Sequence, residues 1–343
     1  MHQRPVPAWE TLTFSLTEPD AMYRAAGDTS RDPVWSDGVI EPYGALAVAP
    51  AAAVLSYGIG IFEGLKAFRH DDGTVHVFRP DMNAARFVRS AGRLMMAPFP
   101  EDRFLDAIDR LVDANRRLVP PAGQGSFYIR PMQFADEPKL GSGPCRAFTV
   151  VVYGSPVGQV RARGDGGLRL RVVEQARVAP GGTGGAKAIG NYAGGVLVAE
   201  PWKQAGFDDV LYLDARACRW VTETNGANVF ALLRDGRLVT PPIDDQIMPG
   251  VTRDSVIAAA ARLLGLRVEE RPLALDELLD DAAEVFCTGT AWTVRSVREI
   301  AHRDRVVSFA SQELRAQLWE IISGVQTGRR EDPFRWTRAV PQR

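Results

Sequence analysis

At 343 residues the chain is longer than one hydrophobic core usually covers, so two domains are expected. Hydrophobic residues make up 45% and charged residues 24%, as in soluble globular proteins, and a net charge of −1 argues against a nucleic-acid partner. The N-terminus lacks a signal peptide's apolar core, and polar residues, proline and glycine interrupt the most apolar stretch, 44–62, so no membrane span is expected.

The cysteines give no sign of a metal or disulfide framework. Cys145, Cys218 and Cys287 are odd in number and form no CxxC pair, and only four histidines are present. We therefore expect no metal and predict the reducing cytoplasm as the compartment.

The first part of the chain alternates strand and helix patterns after an irregular lead-in over 1–45. The helix pattern is clearest where Phe104, Ile108 and Leu111 share one face. We predict a smaller N-terminal α/β domain over 1–154. Its strands are expected at 73–80, 125–134 and 145–154, and its helices at 82–95 and 101–119.

The stretch SPVGQVRARGDGG, 155–167, carries proline, glycine and charge without periodicity, and we predict an interdomain linker loop. Strand patterns resume after it, followed by a hairpin turn at Asp235–Gly236 and a helix that ends at Gly265. Residues 168–343 are therefore predicted to form a larger C-terminal domain.

The stretch GGTGGAKAIGNYAGG, 181–195, holds one lysine, Lys187, and one phenol, Tyr192, on glycine-rich backbone. A flexible linker explains the glycines but not these side chains. A desolvated lysine has a nucleophilic amine that condenses with aldehydes. This chemistry suits pyridoxal phosphate, although the spacing alone does not decide for it.

Three other features suit such a cofactor, each with an ordinary alternative. Val251 and Thr252 open a helix whose free N–H groups favour an anion, or the helix is simply capped. The turn CTGTAW, 287–292, offers hydroxyls and N–H groups, as many turns do. Glu223 faces water or, if it is buried, needs a cation.

Together the motifs closely resemble the branched-chain aminotransferases, which are two-domain, fold-type IV pyridoxal-phosphate enzymes. Many motifs in one order are far more specific than any single match. Besides the lysine stretch, the resemblance is carried by SYGIGIFEGLKAFR (56–69), VFRPDMNAARFVRSAGRL (77–94), SFYIRPMQFADEPKLG (126–141), VTETNGANVF (221–230) and VTPPIDDQIMPGVTRDSV (239–256).

The resemblance implies a role for each matching residue. Lys187 binds the cofactor covalently and moves the substrate proton, Tyr192 bonds the ring oxygen, and Glu223 pairs with the pyridine nitrogen. The implied phosphate contacts are Arg86, Arg177, Val251, Thr252 and Thr290. The implied substrate contacts are Tyr57, Phe62, Tyr128, Arg130 and Ala291, with Phe62 equally well explained as a core residue. Lys66 is expected to be solvated.

The implied activity is ping-pong transfer of the amino group of a branched-chain or related hydrophobic L-amino acid to 2-oxoglutarate by a homodimer. A specialised aminotransferase for a bulkier or modified amino acid, an aminodeoxychorismate lyase-like enzyme and a D-amino-acid aminotransferase stay open as alternatives. Gln159 and Val160 replace a pocket aromatic of the family, and Ile189, Asn225 and Trp292 also depart from its pattern. The preferred donor is therefore left open.

Overall fold

A computed structural model of the protein describes residues 4–158 and 166–343. The described chain divides into two compact units. The first unit consists of 4–158, Ala186–Gly190 and Val325–Arg343, and the second of 166–185 and Asn191–Gly324. Of the positions singled out in the sequence, Gln159 and Val160 lie outside the described residues.

The elements are numbered along the chain. The helices are α1 (Ala53–Tyr57), α2 (Pro80–Arg93), α3 (Glu101–Ala114), α4 (Gly190–Gln204), α5 (Val251–Leu263), α6 (Leu275–Asp281) and α7 (Glu313–Gln326). The strands are β1 (Ala21–Asp28), β2 (Val39–Pro42), β3 (Gly60–Phe62), β4 (Leu65–Arg69), β5 (Val75–Phe78), β6 (Ser126–Ala135), β7 (Ala147–Val157), β8 (Leu168–Val173), β9 (Asp209–Leu213), β10 (Val221–Thr224), β11 (Asn228–Leu233), β12 (Leu238–Thr240), β13 (Val268–Glu270), β14 (Ala282–Gly289), β15 (Thr293–His302), β16 (Arg305–Ser308) and β17 (Thr337–Ala339). None of these helices combines the length and hydrophobicity needed to cross a bilayer.

The first unit is built on an antiparallel sheet with the strand order β17-β5-β4-β6-β7-β1-β2, and β3 pairs with β6. The apolar faces of α2 and α3 supply Phe87 and Phe104 to a core that Phe127 and Phe148 of the sheet complete. The predicted strands and the helix predicted over 82–95 are confirmed, whereas the helix predicted over 101–119 ends at Ala114 and is followed by a 3-10 turn at Arg116–Leu118. β7 continues to Val157 because its end pairs with the start of β6, so the first three residues of the predicted linker are strand.

The expectation of an irregular lead-in over 1–45 is wrong for β1 and β2. β1 lies inside the sheet, between β7 and β2. Its residues AMYRAAGD include several alanines and a glycine, which are poor strand formers. Pairing with β7 and burial of Met22 and Tyr23 override that weak local preference.

The second unit holds a sheet that closes on itself. Its strands follow the order β10-β9-β8-β15-β14-β11-β12-β13, and β10 also pairs with β11. Closure leaves fewer exposed strand edges and encloses a core that includes Leu211, Val229, Val285 and Val297.

Helix α4 was not predicted, because glycine and an internal proline disfavour helices. The helix forms because Ala199 packs with Val173, Val210 and Tyr212 of the neighbouring strands, and tertiary packing supplies most of the stability of such helices.

We expect Gly154→Ala in β7 to destabilise the protein by about 1–3 kcal/mol, because a Cβ there would overlap the buried Phe127 ring. Gly92→Ala in α2 is the matched control. Nothing lies within 4 Å of its added Cβ, and alanine should stabilise the helix by about 0.5–1 kcal/mol. Free energies of unfolding from urea titrations test this pair, and equal values for the two variants would contradict the packing described.

Candidate active site

Lys187 lies in a short extended segment that runs antiparallel to β3. The Phe62 N–H donates to the Lys187 carbonyl at 3.1 Å, and the Ile189 N–H donates to the Gly60 carbonyl at 3.0 Å. The Lys187 N–H donates to Ser90 Oγ of α2 at 3.0 Å. The glycine-rich stretch is therefore fixed at its lysine by three hydrogen bonds to the first unit.

The Lys187 side chain projects over an aromatic ring. Its Nζ lies 4.4 Å from the centroid of the Phe62 ring, and Cζ of Arg130 lies 4.8 Å from the same centroid. An aromatic face attracts cations at such distances. The Phe62 side chain is half-buried, and its ring lies beside the lysine amine. Phe62 is therefore not a core residue.

A buried ion pair follows directly after Phe62. Glu63 is fully buried, and Nε and Nη2 of Arg86 each donate to its carboxylate at 2.7 Å. Asn83 Nδ2 donates to the same carboxylate at 2.7 Å. Burial raises the pKa of the Glu63 carboxyl, but the charge and hydrogen bonds of Arg86, with Lys187 and Asn83, outweigh it and hold that pKa below its usual value.

The sequence did not single out Glu63. The glutamate stands within the motif FEGLKAF, but only its burial and its two-point contact with Arg86 distinguish it from a solvated acid. Arg86, on α2, is buried as well.

Tyr128 and Arg130 line a cavity of about 130 Å³ in the first unit. Arg130 Nη2 donates to the Tyr128 hydroxyl at 3.1 Å, while the buried Arg130 Nε has no partner among the described residues. The Phe14 ring stands edge-on to Tyr128 at 5.1 Å. The rest of the wall is Ser15, Leu16, Tyr153, Ser155 and Val157.

Tyr57 is not part of this cavity. It ends α1, is 40% exposed, and its hydroxyl donates to the Leu140 carbonyl.

In the second unit Glu223 is buried and bonded on several sides. Arg177 Nη2 lies 2.8 Å from one carboxylate oxygen, and Asn228 Nδ2 donates to the other at 3.0 Å. The Met248 N–H donates to the carboxylate at 3.2 Å. Glu223 is 3% exposed, so the water-facing alternative is wrong for this residue.

Arg177 also donates to the carbonyls of Gly184 and Gln246, at 3.1 and 2.7 Å. These contacts and the ion pair hold its guanidinium against Glu223. The phosphate contact expected of Arg177 from the sequence stays a prediction beside this bond to the acid.

The N-terminus of α5 lies next to the Glu223 cluster. Asn228 Nδ2 also donates to the Met248 carbonyl at 2.9 Å, and a Cβ on Gly250 would overlap Asn228 Oδ1. Gly250 is the N-cap of α5 and makes no side-chain cap hydrogen bond. Val251 and Thr252 follow, both buried, in the first turn, where backbone N–H groups and the helix dipole favour an anion.

Tyr192 and Thr290 both belong to the second unit. Tyr192 lies in the first turn of α4, and its neighbour Asn191 exchanges hydrogen bonds with Thr183. The departure at Asn225 has a packing consequence, since a Cβ on Gly195 of α4 would overlap the Asn225 amide.

Thr290 and Ala291 belong to the turn that joins β14 and β15. Where that turn begins, a Cβ on Gly289 would lie 3.5 Å from the Gly226 carbonyl, in the turn that follows Glu223. Trp292 packs partly against the core of its own unit.

The expectation that Lys66 is solvated is wrong. Lys66 lies in β4 opposite Tyr128, is 8% exposed, and burial lowers its pKa to about 8. The expectation failed because it rested on the general rule that a lone lysine in a strand lies on the solvent face.

Comparison with known proteins gives one consistent result. The family description "Amino-transferase class IV" matches residues 60–300. The chain is 40% identical over 333 residues to a chloroplastic branched-chain-amino-acid aminotransferase of Arabidopsis thaliana, covering 96% of this chain and 79% of that protein. It is 41% identical over 333 residues to a methionine aminotransferase of the same plant, covering 96% and 92%.

Solved structures of branched-chain amino acid aminotransferases have a similar fold. The branched-chain amino acid aminotransferase of Escherichia coli superposes with a TM-score of 0.80 at 25% identity, covering 94% of this chain and 100% of that one. The PLP-form of the enzyme from Thermobaculum terrenum gives a TM-score of 0.77 at 25% identity, covering 94% and 99%. The predicted mixed α/β, fold-type IV architecture and the resemblance are confirmed.

Lys66 should make stability depend on pH. An unfolded lysine titrates near 10.5, so between about pH 8 and pH 10.5 the unfolded state binds more protons and the free energy of unfolding rises with pH. Over that interval the rise due to Lys66 is about 3 kcal/mol, since each pH unit contributes about 1.4 kcal/mol. We expect Lys66→Met to lose this rise and Lys203→Met, which removes an exposed lysine, to keep it. Urea unfolding at stepped pH measures the slope, and an unchanged slope in Lys66→Met would refute the burial described.

Proposed function

This chain belongs to the class IV aminotransferases, and on that basis we propose that it moves the amino group of branched-chain or related hydrophobic L-amino acids to 2-oxoglutarate, with pyridoxal phosphate as cofactor. The observation that carries the proposal is the Lys187 amine, held by its backbone on β3 and projecting over Phe62. A fixed backbone limits the region that the lysine amine reaches, which favours a covalent attachment at one position.

The donor set of the second unit fits this cofactor. Glu223 offers a buried carboxylate to the pyridine nitrogen, and the uncapped first turn of α5 offers N–H groups to a phosphate. Gly250 keeps that turn close to Asn228, because any side chain there would collide. When bound, pyridoxal phosphate supplies an electron sink for the reacting carbon.

Each predicted site residue then has a proposed task. Lys187 Nζ takes the proton from the substrate Cα and later returns it, and Tyr192 orients the ring through its oxygen. Arg177 positions Glu223, to which it is bonded. The proposed phosphate contacts are Arg86, Arg177, Val251, Thr252 and Thr290.

The cavity beside Tyr128 supports a hydrophobic donor. Phe14, Leu16 and Val157 give apolar walls, and about 130 Å³ accepts one amino-acid side chain but not a drug-sized ligand. Arg130 Nε, which has no partner in the part of the chain that the structure describes, suits the second carboxylate of 2-oxoglutarate, because a partly desolvated cation gains from a paired anion. Phe62, Tyr128 and Arg130 are thus proposed side-chain contacts, with Ala291 and Tyr57 kept as further substrate contacts.

We propose that the protein is a cytoplasmic homodimer. The free cysteines Cys145, Cys218 and Cys287 suit a reducing compartment. On α4, Val196 and Leu197 are exposed, Leu197 by 82%, and a second copy would cover such apolar side chains.

Residues 155–167 are proposed as the linker between domains 1–154 and 168–343, since the described chain passes from the first unit to the second between 158 and 166.

A screen of amino donors against 2-oxoglutarate tests the proposed activity. We expect transamination of leucine, isoleucine and valine, with kcat/KM for methionine within about 200-fold of theirs, because a methylene in an apolar pocket discriminates by only about 1–3 kcal/mol.

Glu223→Gln should lower the rate with every donor by about 10²–10³, since one preorganised electrostatic contact is lost.

Two results would overturn the proposal. Release of pyruvate from aminodeoxychorismate without an amino acceptor would indicate the lyase. Turnover of D-amino acids in preference to L-amino acids would indicate the D-specific enzyme.

A further inference from the structure

Glu63 is a fully buried carboxylate one residue beyond Phe62, and the tasks proposed above do not use it. Burying a carboxylate is costly unless cations and hydrogen bonds compensate. Arg86 and Asn83 provide three short hydrogen bonds, all at 2.7 Å. A pair of well-packed apolar residues would often serve stability equally well, so stability alone does not call for this ion pair.

The contact between the two side chains fixes the plane of the guanidinium. Glu63 accepts from Nε and Nη2 of Arg86 at once, and a planar guanidinium held at two points cannot rotate about its own axis. Its third nitrogen, Nη1, therefore faces away from the carboxylate in a fixed direction.

Asn83 makes the arrangement rigid. It lies on α2, one helical turn before Arg86, and its amide donates to the same carboxylate that Arg86 holds. Asn83, Ser90 and Arg86 share α2, so the helix that orients the ion pair also bonds the Lys187 backbone through Ser90.

We propose that Glu63 is a positioning residue that holds the Arg86 guanidinium in the orientation in which it binds the cofactor phosphate. This inference rests on the proposed function, because only there does Arg86 have a phosphate to bind. Glu63 itself touches neither cofactor nor substrate in this assignment. An outer partner that orients a ligand-binding side chain typically contributes about ten- to hundredfold to affinity.

The test compares two aldehydes that differ only in the phosphate, pyridoxal phosphate and pyridoxal, binding to full-length apoprotein and followed by absorbance. We expect Glu63→Gln to weaken pyridoxal phosphate by about ten- to hundredfold while pyridoxal changes by less than about twofold. Arg86→Met should show the same selectivity, and adding Glu63→Gln to it should cost less than about threefold more, because both act through one contact.

Asp109→Asn is the control. Asp109 is a buried acid of the same unit, paired with Arg338 at 2.9 Å, and its loss should leave the affinities for both aldehydes unchanged. If Glu63→Gln does not fold, Asn83→Ala provides the second variant, with an expected loss of about threefold to tenfold for pyridoxal phosphate alone.

Equal weakening of both aldehydes, or no weakening of either, in the folded variant would overturn the role of Glu63. A wild-type protein that binds neither aldehyde would instead overturn the proposed function.

Discussion

The attachment of the Lys187 backbone to β3 is the constraint on which the site depends. The Phe62 N–H donates to the Lys187 carbonyl, and the Ile189 N–H donates to the Gly60 carbonyl, so the lysine segment pairs with β3 like a short strand. The Lys187 N–H also donates to Ser90 of α2. Residues 186–190 group with the first unit, although their neighbours on both sides belong to the second. Glycine permits the close turns around this short segment, since Gly184 has no room for a Cβ beside the Asp245 carbonyl.

Two buried carboxylates are built in the same way, one in each unit. Glu63 is held by Arg86 and Asn83, and Glu223 by Arg177 and Asn228. In both, a guanidinium neutralises the charge and an asparagine amide satisfies a remaining lone pair, which is what a buried carboxylate needs. Each acid is therefore fixed in place, and the buried, bonded position of Glu223 supports its proposed pairing with a ring nitrogen.

The sequence predicted elements whose local pattern agrees with their burial, such as α3 and β6. The sequence did not predict β1 or α4, because tertiary contacts determine whether these elements form. β1 is poor in strand formers, and α4 carries glycines and Pro201. For the site, motif resemblance predicts roles for Lys187, Glu223 and Arg86, and these roles stay predictions. It did not find Glu63, the burial of Lys66 or the bond from Arg177 to Glu223, because each depends on which side chains meet across strands and turns.

Lys187 is proposed as the amine that carries the cofactor. The chain has four lysines, Lys66, Lys139, Lys187 and Lys203. Burial lowers the pKa of Lys66 to about 8, which makes its amine the rival of Lys187 for an aldehyde. Borohydride reduction of the protein with pyridoxal phosphate, followed by peptide mass spectrometry, identifies the modified lysine. We expect one phosphopyridoxyl group per chain, on the peptide that contains Lys187. A label on Lys66, or an even distribution over the four lysines, would contradict it.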